Sequence, residues 1–263
     1  MELGLKGRGA LVAAASKGIG RACALGLAAE GARVAICART RADLETAAEE
    51  IRAKTGAEVL AFPADVTRAE DVKALVEAAV RAFGRLDVLV TNAGGPPPGP
   101  FDQMTDEAFQ AAFELNLLST VRLIREALPH MRARRWGRII NIQSTSVKQP
   151  IDGLLLSNAI RPGVVGLAKT LAGELGRDGI TINTVGPGRI LTGRSRGVME
   201  HRARQAGLPF EEFLKRDVAA VPLGRIGEPE EVAHVVVFLA SERASYVTGV
   251  TLQVDGGLVR SLW

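Results

Sequence analysis

Gly9-Ala-Leu-Val-Ala-Ala-Ala15-Ser-Lys-Gly-Ile-Gly20-Arg-Ala-Cys-Ala-Leu-Gly-Leu-Ala-Ala-Glu-Gly31 is the stretch that decides the fold. Gly9 to Ala15 is a short run of small and apolar residues with no polar face, which suits a strand buried on both sides. The run breaks at Ser16-Lys17-Gly18-Ile19-Gly20, and Ile19 to Glu30 then reads as a helix that Gly31 stops. Glycines between a strand and a helix let backbone N–H groups approach a pyrophosphate, and the helix N-terminus favours its charge.

Working outward, the same alternation continues. Ala32 to Ala38 reads as a strand and Arg41 to Lys54 as a helix closed by Gly56. Strand Glu58 to Phe62, helix Arg68 to Phe83 and strand Leu86 to Thr91 follow. After the stiff Pro96-Pro-Pro-Gly-Pro100 loop a helical region runs to about Arg135, then strand Gly137 to Gln143, helix Val164 to Leu175, and strands Ile180 to Val185 and Val250 to Val254. Short apolar strands alternating with longer helices imply right-handed βαβ units and a parallel sheet. No linker or composition break interrupts residues 1–263, so they read as a single domain. Asp65-Val66 and Asn92-Ala93-Gly94 fall, like the glycine turn, at strand C-termini, where such sheets bind ligands. No strand signal occurs between Gly186 and Gly227, and 187–227 is read as a substrate lid.

Composition narrows the function classes. With 47% hydrophobic and 24% charged residues the 263-residue chain is neither disordered nor fibrous. Net charge is +4, from 33 basic residues (26 of them arginine) against 29 acids, and there are only two Trp and one Tyr for base stacking. A solvated arginine-rich surface explains this better than nucleic-acid binding. No apolar run approaches the ~20 residues of a membrane span, and the N-terminus lacks an export pattern. A cytoplasmic protein without nucleic-acid or membrane partners is expected. Cys23 and Cys37 fit no metal spacing, so no metal site is expected.

Taken in order, Gly18-Ile19-Gly20, Asp65, Asn92-Ala93-Gly94, Asn116 in Glu-Leu-Asn-Leu, Gly137-Arg-Ile-Ile-Asn-Ile with Ser144, Pro187-Gly188 with Thr192, Thr248-Gly249 and Val254-Asp-Gly-Gly257 resemble the short-chain dehydrogenase/reductases, in the branch of the 3-oxoacyl-acyl-carrier-protein reductases. The resemblance covers essentially the whole chain. It implies a Rossmann-like, doubly wound, seven-stranded parallel sheet with helices on both faces, a nicotinamide cofactor, and a homodimer or homotetramer, the tetramer foremost. It places Asp65 near the adenine, and Pro187, Gly188 and Thr192 near the nicotinamide.

Two departures stand out. Where the family's glycine motif opens Thr-Gly, this chain has Ala13-Ala14. The family's catalytic Tyr follows the catalytic Ser by about 13 residues, with a Lys four further on; counting from Ser144 gives Ser157 and Arg161. A Ser hydroxyl is a far weaker acid than a Tyr phenol, and Arg cannot pass a proton as Lys can. Tyr246, Lys148 and His201 are the conceivable stand-ins, and a structural or solvated role is favoured for each.

The resulting expectation is an oxidoreductase with an altered site, moving a hydride between a nicotinamide cofactor and a carbonyl or alcohol, with a 3-oxoacyl thioester among the candidate substrates. Ser144 would hold the carbonyl oxygen, Asn116 a water, and Arg161 the ribose contact, with the proton coming from water or Ser157. The alternative is a protein that binds the dinucleotide without redox chemistry, as a sensor or oligomer partner. The second strand ends in Cys37-Ala38-Arg39 with no acid, and Lys17 lies in the glycine turn; both cations suit a 2′-phosphate, so NADP(H) is expected over NAD(H). Arginines 189, 194, 196, 202 and 204 crowd the start of the lid and suit an anionic substrate, if they are not simply solvated.

Overall fold

The run Gly9–Val12 forms β1, flanked in parallel by β2 (Arg33–Ala38) and β4 (Val88–Thr91). β3 (Val59–Pro63) lies outside β2; β5 (Gly137–Ile142), β6 (Ile180–Pro187) and β7 (Thr251–Val254) extend the other side. The seven-stranded order is therefore β3-β2-β1-β4-β5-β6-β7, and every pairing is parallel. The computed structural model describes residues 2–262, without the side chains of residues 194, 198, 201, 202 and 205.

Helices cover both faces because the central strands are apolar on both. α1 (Gly18–Ala29), α2 (Arg41–Thr55) and α10 (Pro229–Ala240) bury Leu27, Leu44, Ile51, Val232 and Val236 against Val12, Ile36, Val90 and Ile140. On the opposite face, α3 (Ala69–Phe83), α5 (Ser119–Arg134) and α7 (Pro162–Leu175) pack Leu75, Leu123 and Ala168 on Leu11, Leu89, Ile139 and Ile182. Truncating any of these fully buried leucines to Ala costs about 2–5 kcal/mol. α4 (Asp106–Phe113) runs through a π turn, Glu114–Leu118, into α5, and α6 (Leu155–Ile160) leads into α7. α8 (Gly193–Gln205) and α9 (Phe210–Val218) occupy the long insertion.

Some boundaries differ from the sequence reading. β1 stops at Val12 rather than Ala15: Ala13 and Ala15 N–H still donate to the Val90 and Cys37 carbonyls, but Ala14 between them turns left-handed at φ +49° and breaks the extended run. β6 runs two residues past Val185, as Gly186 and Pro187 still pair with Gln253 and Val254. The π turn and α6 were not legible as separate elements. The strand order reverses between β1 and β4, and that crevice is where the site residues gather.

Candidate active site

The glycine turn is built by close backbone approach. A Cβ at Gly20 would lie 2.4 Å from the Ala14 carbonyl oxygen and 2.9 Å from Asn92 Nδ2. Gly18 sits at φ +56°, and a Cβ there would press on the Thr192 methyl. α1 has no side-chain N-cap and no acid in its first turn, so its first N–H groups face the crevice unopposed. Ser16 and Ile19 are half-buried, Lys17 exposed. A pyrophosphate fits such a cradle. Ala14 meets this geometry at φ +49°, a left-handed conformation where an L residue carries about 1 kcal/mol or more of strain. The turn closes with that strain in place, Gly20 packing on the Ala14 carbonyl.

At the adenosine end Arg39 is exposed beside Asp65. Partial burial works against the Asp65 charge, but the Thr67 N–H and hydroxyl, with Arg39 and Arg68 nearby, together hold the carboxyl below its usual range. Val66 beside it is core. Lys17 is held in part by Asp43, 2.9 Å away, so Arg39 is the cation more available to a 2′-phosphate.

Across the crevice, Asn92 Nδ2 donates to the Ala14 carbonyl (3.3 Å), tying the β4 loop to the glycine turn. Ala93 and Gly94 continue that loop, and Asn116 Nδ2 donates to the Gly94 carbonyl (2.8 Å). Asn116 is buried within the π turn, and its Oδ1 has no partner among the described residues. A buried acceptor left open in a polar crevice suits a water.

The structure adds most around Ser144. Ser144 lies two residues past β5 and caps a short 3₁₀ turn, Thr145–Val147, its Oγ accepting from Ser146 N–H (3.1 Å). Ser146 Oγ lies 3.1 Å from Ser157 Oγ, so three serines are chained together. Ser157 on α6 and Arg161 at the α6–α7 junction are one helical turn apart and both buried. Arg161 keeps helical dihedrals although Pro162 follows; Pro162 takes the first position of α7, where no N–H is needed. The Arg161 guanidinium donates to Gln143 Oε1 (3.2 Å), the residue before Ser144. Gln143 and Ser146 were missed in the sequence; the alternation of β5, which puts Gln143 on the face of Ile139 and Asn141, was the available signal.

Of the conceivable stand-ins, Tyr246 is fully exposed in the segment before β7. Lys148 is half-buried just past the 3₁₀ turn. The His201, Arg194 and Arg202 side chains lie outside the described residues. Cys23 and Cys37 are buried, and burial pushes their thiols up to about 12 and about 11, which keeps both protonated. No cluster of metal-ligating side chains occurs among the described residues, and no described helix is long and apolar enough to cross a membrane.

The long insertion is stapled at its base. Leu191 N–H donates to the Gly227 carbonyl and Gly227 N–H to that of Arg189. Pro187 and Gly188 stand at the end of β6, Gly188 against Asp255, and Thr192 lies over Gly18 while its Oγ1 accepts from Ser195 N–H. Arg189 pairs with Asp217, and Arg196 with Glu200 (3.1 Å), so the segment partly neutralises its own cations; Arg204 is exposed.

Known proteins share this arrangement. The family model described as enoyl-(acyl carrier protein) reductase matches residues 13–259. The 3-oxoacyl-[acyl-carrier-protein] reductase of Staphylococcus aureus is 37% identical over 95% of this chain and 98% of its own length. Among solved structures, L-sorbose reductase from Gluconobacter frateurii, complexed with NADPH and L-sorbose, superimposes with a TM-score of 0.96 at 36% identity, covering 100% of both chains. A point variant of the actinorhodin polyketide ketoreductase, with NADPH, gives 0.90 at 40% identity over 95% of this chain and 96% of the other. With a family model matched over residues 13–259 and relatives more than 30% identical over nearly the whole of both chains, the chain belongs to the short-chain dehydrogenase/reductase family of oxidoreductases.

Proposed function

We propose that this protein is an NADP(H)-dependent oxidoreductase that interconverts a carbonyl and an alcohol with an atypical proton-handling site. The observation that carries the reading is the glycine turn, closed tightly enough that a Cβ at Gly20 would meet the Ala14 carbonyl at 2.4 Å. Gly18, Ile19 and Gly20 present α1 to the pyrophosphate, with Ser16, Asn92, Ala93 and Gly94 forming the opposite wall. Arg39, aided by Lys17, takes the 2′-phosphate; Asp65 and Val66 border the adenine. Pro187, Gly188 and Thr192 border the nicotinamide, and Arg161 lies on the ribose side. The cofactor supplies or accepts the hydride.

The chain's own residues orient the other reactant and handle its charge. Ser144 Oγ–H donates to the carbonyl oxygen, a geometry that stabilises developing negative charge. Arg161, held by Gln143, adds a fixed positive charge. Asn116 holds a water through its open Oδ1. The proton comes from water or from Ser157, whose hydroxyl is shared with Ser146. The relatives' names support a 3-oxoacyl thioester or a polyol ketone as the substrate class. Residues 187–227 form the lid, and an anionic substrate would meet Arg204 first, since Arg189 and Arg196 are already paired.

A second reading is supported by the same serine chain: Ser157 is buried and hydrogen-bonded, which suits a dinucleotide-binding protein without turnover, such as a sensor or oligomer partner. NADPH oxidation with a panel of 3-oxoacyl thioesters and ketones separates the two. Turnover that falls in Ser144→Ala supports the enzyme. NADPH binding without turnover, with activity appearing only in Ser157→Tyr/Arg161→Lys, supports the second reading.

The assembly reading is a homotetramer or homodimer. The outer face of α5 and α7 presents Val121, Ile124, Leu128, Leu167 and Leu171 around a cleft of about 270 Å³. A monomer mass by light scattering at micromolar concentration would contradict it.

A further inference from the structure

Arg122 of α5 joins two parts of the crevice that are far apart in sequence. Its Nη1 donates to Glu114 Oε2 (2.9 Å), the first residue of the π turn, and to the backbone carbonyl of Thr67. Thr67 in turn gives its N–H (2.9 Å) and hydroxyl (2.7 Å) to Asp65 Oδ1 at the adenosine end. The guanidinium is mostly buried, at 19% exposure.

The spacing of this ion pair is informative. In a regular α-helix, residues eight apart are about 80° out of line, and pairs form at three or four. One extra residue in a π turn brings positions eight apart roughly back onto one line. Glu114 opens just such a turn and Arg122 follows it, and arginine side chains lean toward the helix N-terminus, toward Glu114. The ion pair therefore spans the π turn and matches its register. Two hydroxyls take up the carbonyls within the turn: Ser119 Oγ donates to Leu115 O (2.5 Å) and Thr120 Oγ1 to Asn116 O (3.4 Å). The Asn116 side chain is thereby fixed, with Nδ2 on the Gly94 carbonyl and Oδ1 open.

We infer that Arg122 is a positioning residue that couples the adenosine end of the cofactor site to the π turn carrying Asn116. Ordering of the Asp65–Thr67 turn by the adenine of the bound cofactor is passed through the Thr67 carbonyl and Arg122 to Glu114, and so to the orientation of Asn116. The inference rests on the NADP(H) reading above and adds a link between the two ends of the site.

The test uses 2′,5′-ADP, which carries the adenosine 2′-phosphate and no nicotinamide, with hydrogen exchange followed by mass spectrometry on the full-length protein. In the unaltered protein, saturating 2′,5′-ADP is expected to slow exchange at residues 65–68 and also, by about fivefold, across residues 115–120. In Arg122→Met the first effect persists and the second is lost, while Arg122→Lys, which keeps a donor, recovers part of it. Glu114→Gln, which retains an acceptor oxygen, supplies the same comparison if Arg122→Met does not fold, and is expected to give an intermediate effect. Slowing of residues 115–120 that is equal in all variants, or absent from the unaltered protein despite binding, overturns the coupling alone. Failure of 2′,5′-ADP to bind the unaltered protein overturns the cofactor reading and the coupling with it.

Discussion

The two ends of one crevice have diverged differently from the family pattern. At the glycine turn, Ala14 replaces a glycine, yet the backbone keeps the glycine geometry, and Gly20 still packs on the Ala14 carbonyl. At the other end, where counting from Ser144 leads to Ser157 and Arg161 rather than a Tyr and a Lys, Ser146 meets Ser157 and Gln143 meets Arg161. A methyl group in a turn is absorbed as local strain. A serine in place of a phenol would change which groups can move a proton. On the proposed function, binding and proton transfer are separable properties of this site, and substitutions at either end test that separation.

The largest effect should come from restoring the proton relay. Ser157→Tyr/Arg161→Lys is expected to raise kcat for carbonyl reduction by about a hundredfold or more, the usual weight of a positioned general acid. NADPH affinity should change little. Steady-state rates with a fluorescence titration of NADPH on the same samples check both; a large gain in affinity accompanying the rate would join the two ends again.

Gly20→Val should act on the opposite end. With only 2.4 Å between a Cβ and the Ala14 carbonyl, the turn must open, and NADPH affinity is expected to fall at least about tenfold. Arg39→Gln should weaken NADPH by about tenfold at low salt and leave NADH within about twofold, as a charge-assisted contact to phosphate is lost. Isothermal titration at two salt concentrations measures it. The smallest effect is Ala14→Gly: relief of the φ +49° strain, offset by the greater freedom of glycine in the unfolded chain, should raise stability by about 0.5 kcal/mol and tighten NADPH slightly. Urea denaturation reads the first and titration the second.

Much of the fold was legible because its signals are local. Gly9–Val12, Arg33–Ala38 and Val88–Thr91 are apolar runs closed by turns, and Gly56 and Gly84 end helices in the left-handed conformation expected of them. The glycine turn and the Asp65 and Asn92 loops were legible from their places after strands. What escaped depends on contacts between distant residues. Nothing local marks Ser146 as the partner of Ser157, Gln143 as that of Arg161, or Arg122 as that of both Glu114 and Thr67, 55 residues apart from it in the last case. The π turn escaped because Glu114–Leu118 carries ordinary helix-forming residues, and its extra residue is set by tertiary packing. The arginine-rich start of the lid reads in sequence as a cluster of free charge, whereas Asp217, the partner of Arg189, lies well downstream of that cluster.

On the proposed function the dinucleotide site is intact and selective although Ser157 and Arg161 stand where the resemblance expects a Tyr and a Lys. Parallel titrations of NADPH and NADH into the unaltered protein, followed by nicotinamide fluorescence in moderate salt, test it most directly. Saturable binding of both is expected, with NADPH tighter by about tenfold through Arg39. Equal affinities, or no binding of either, would contradict it.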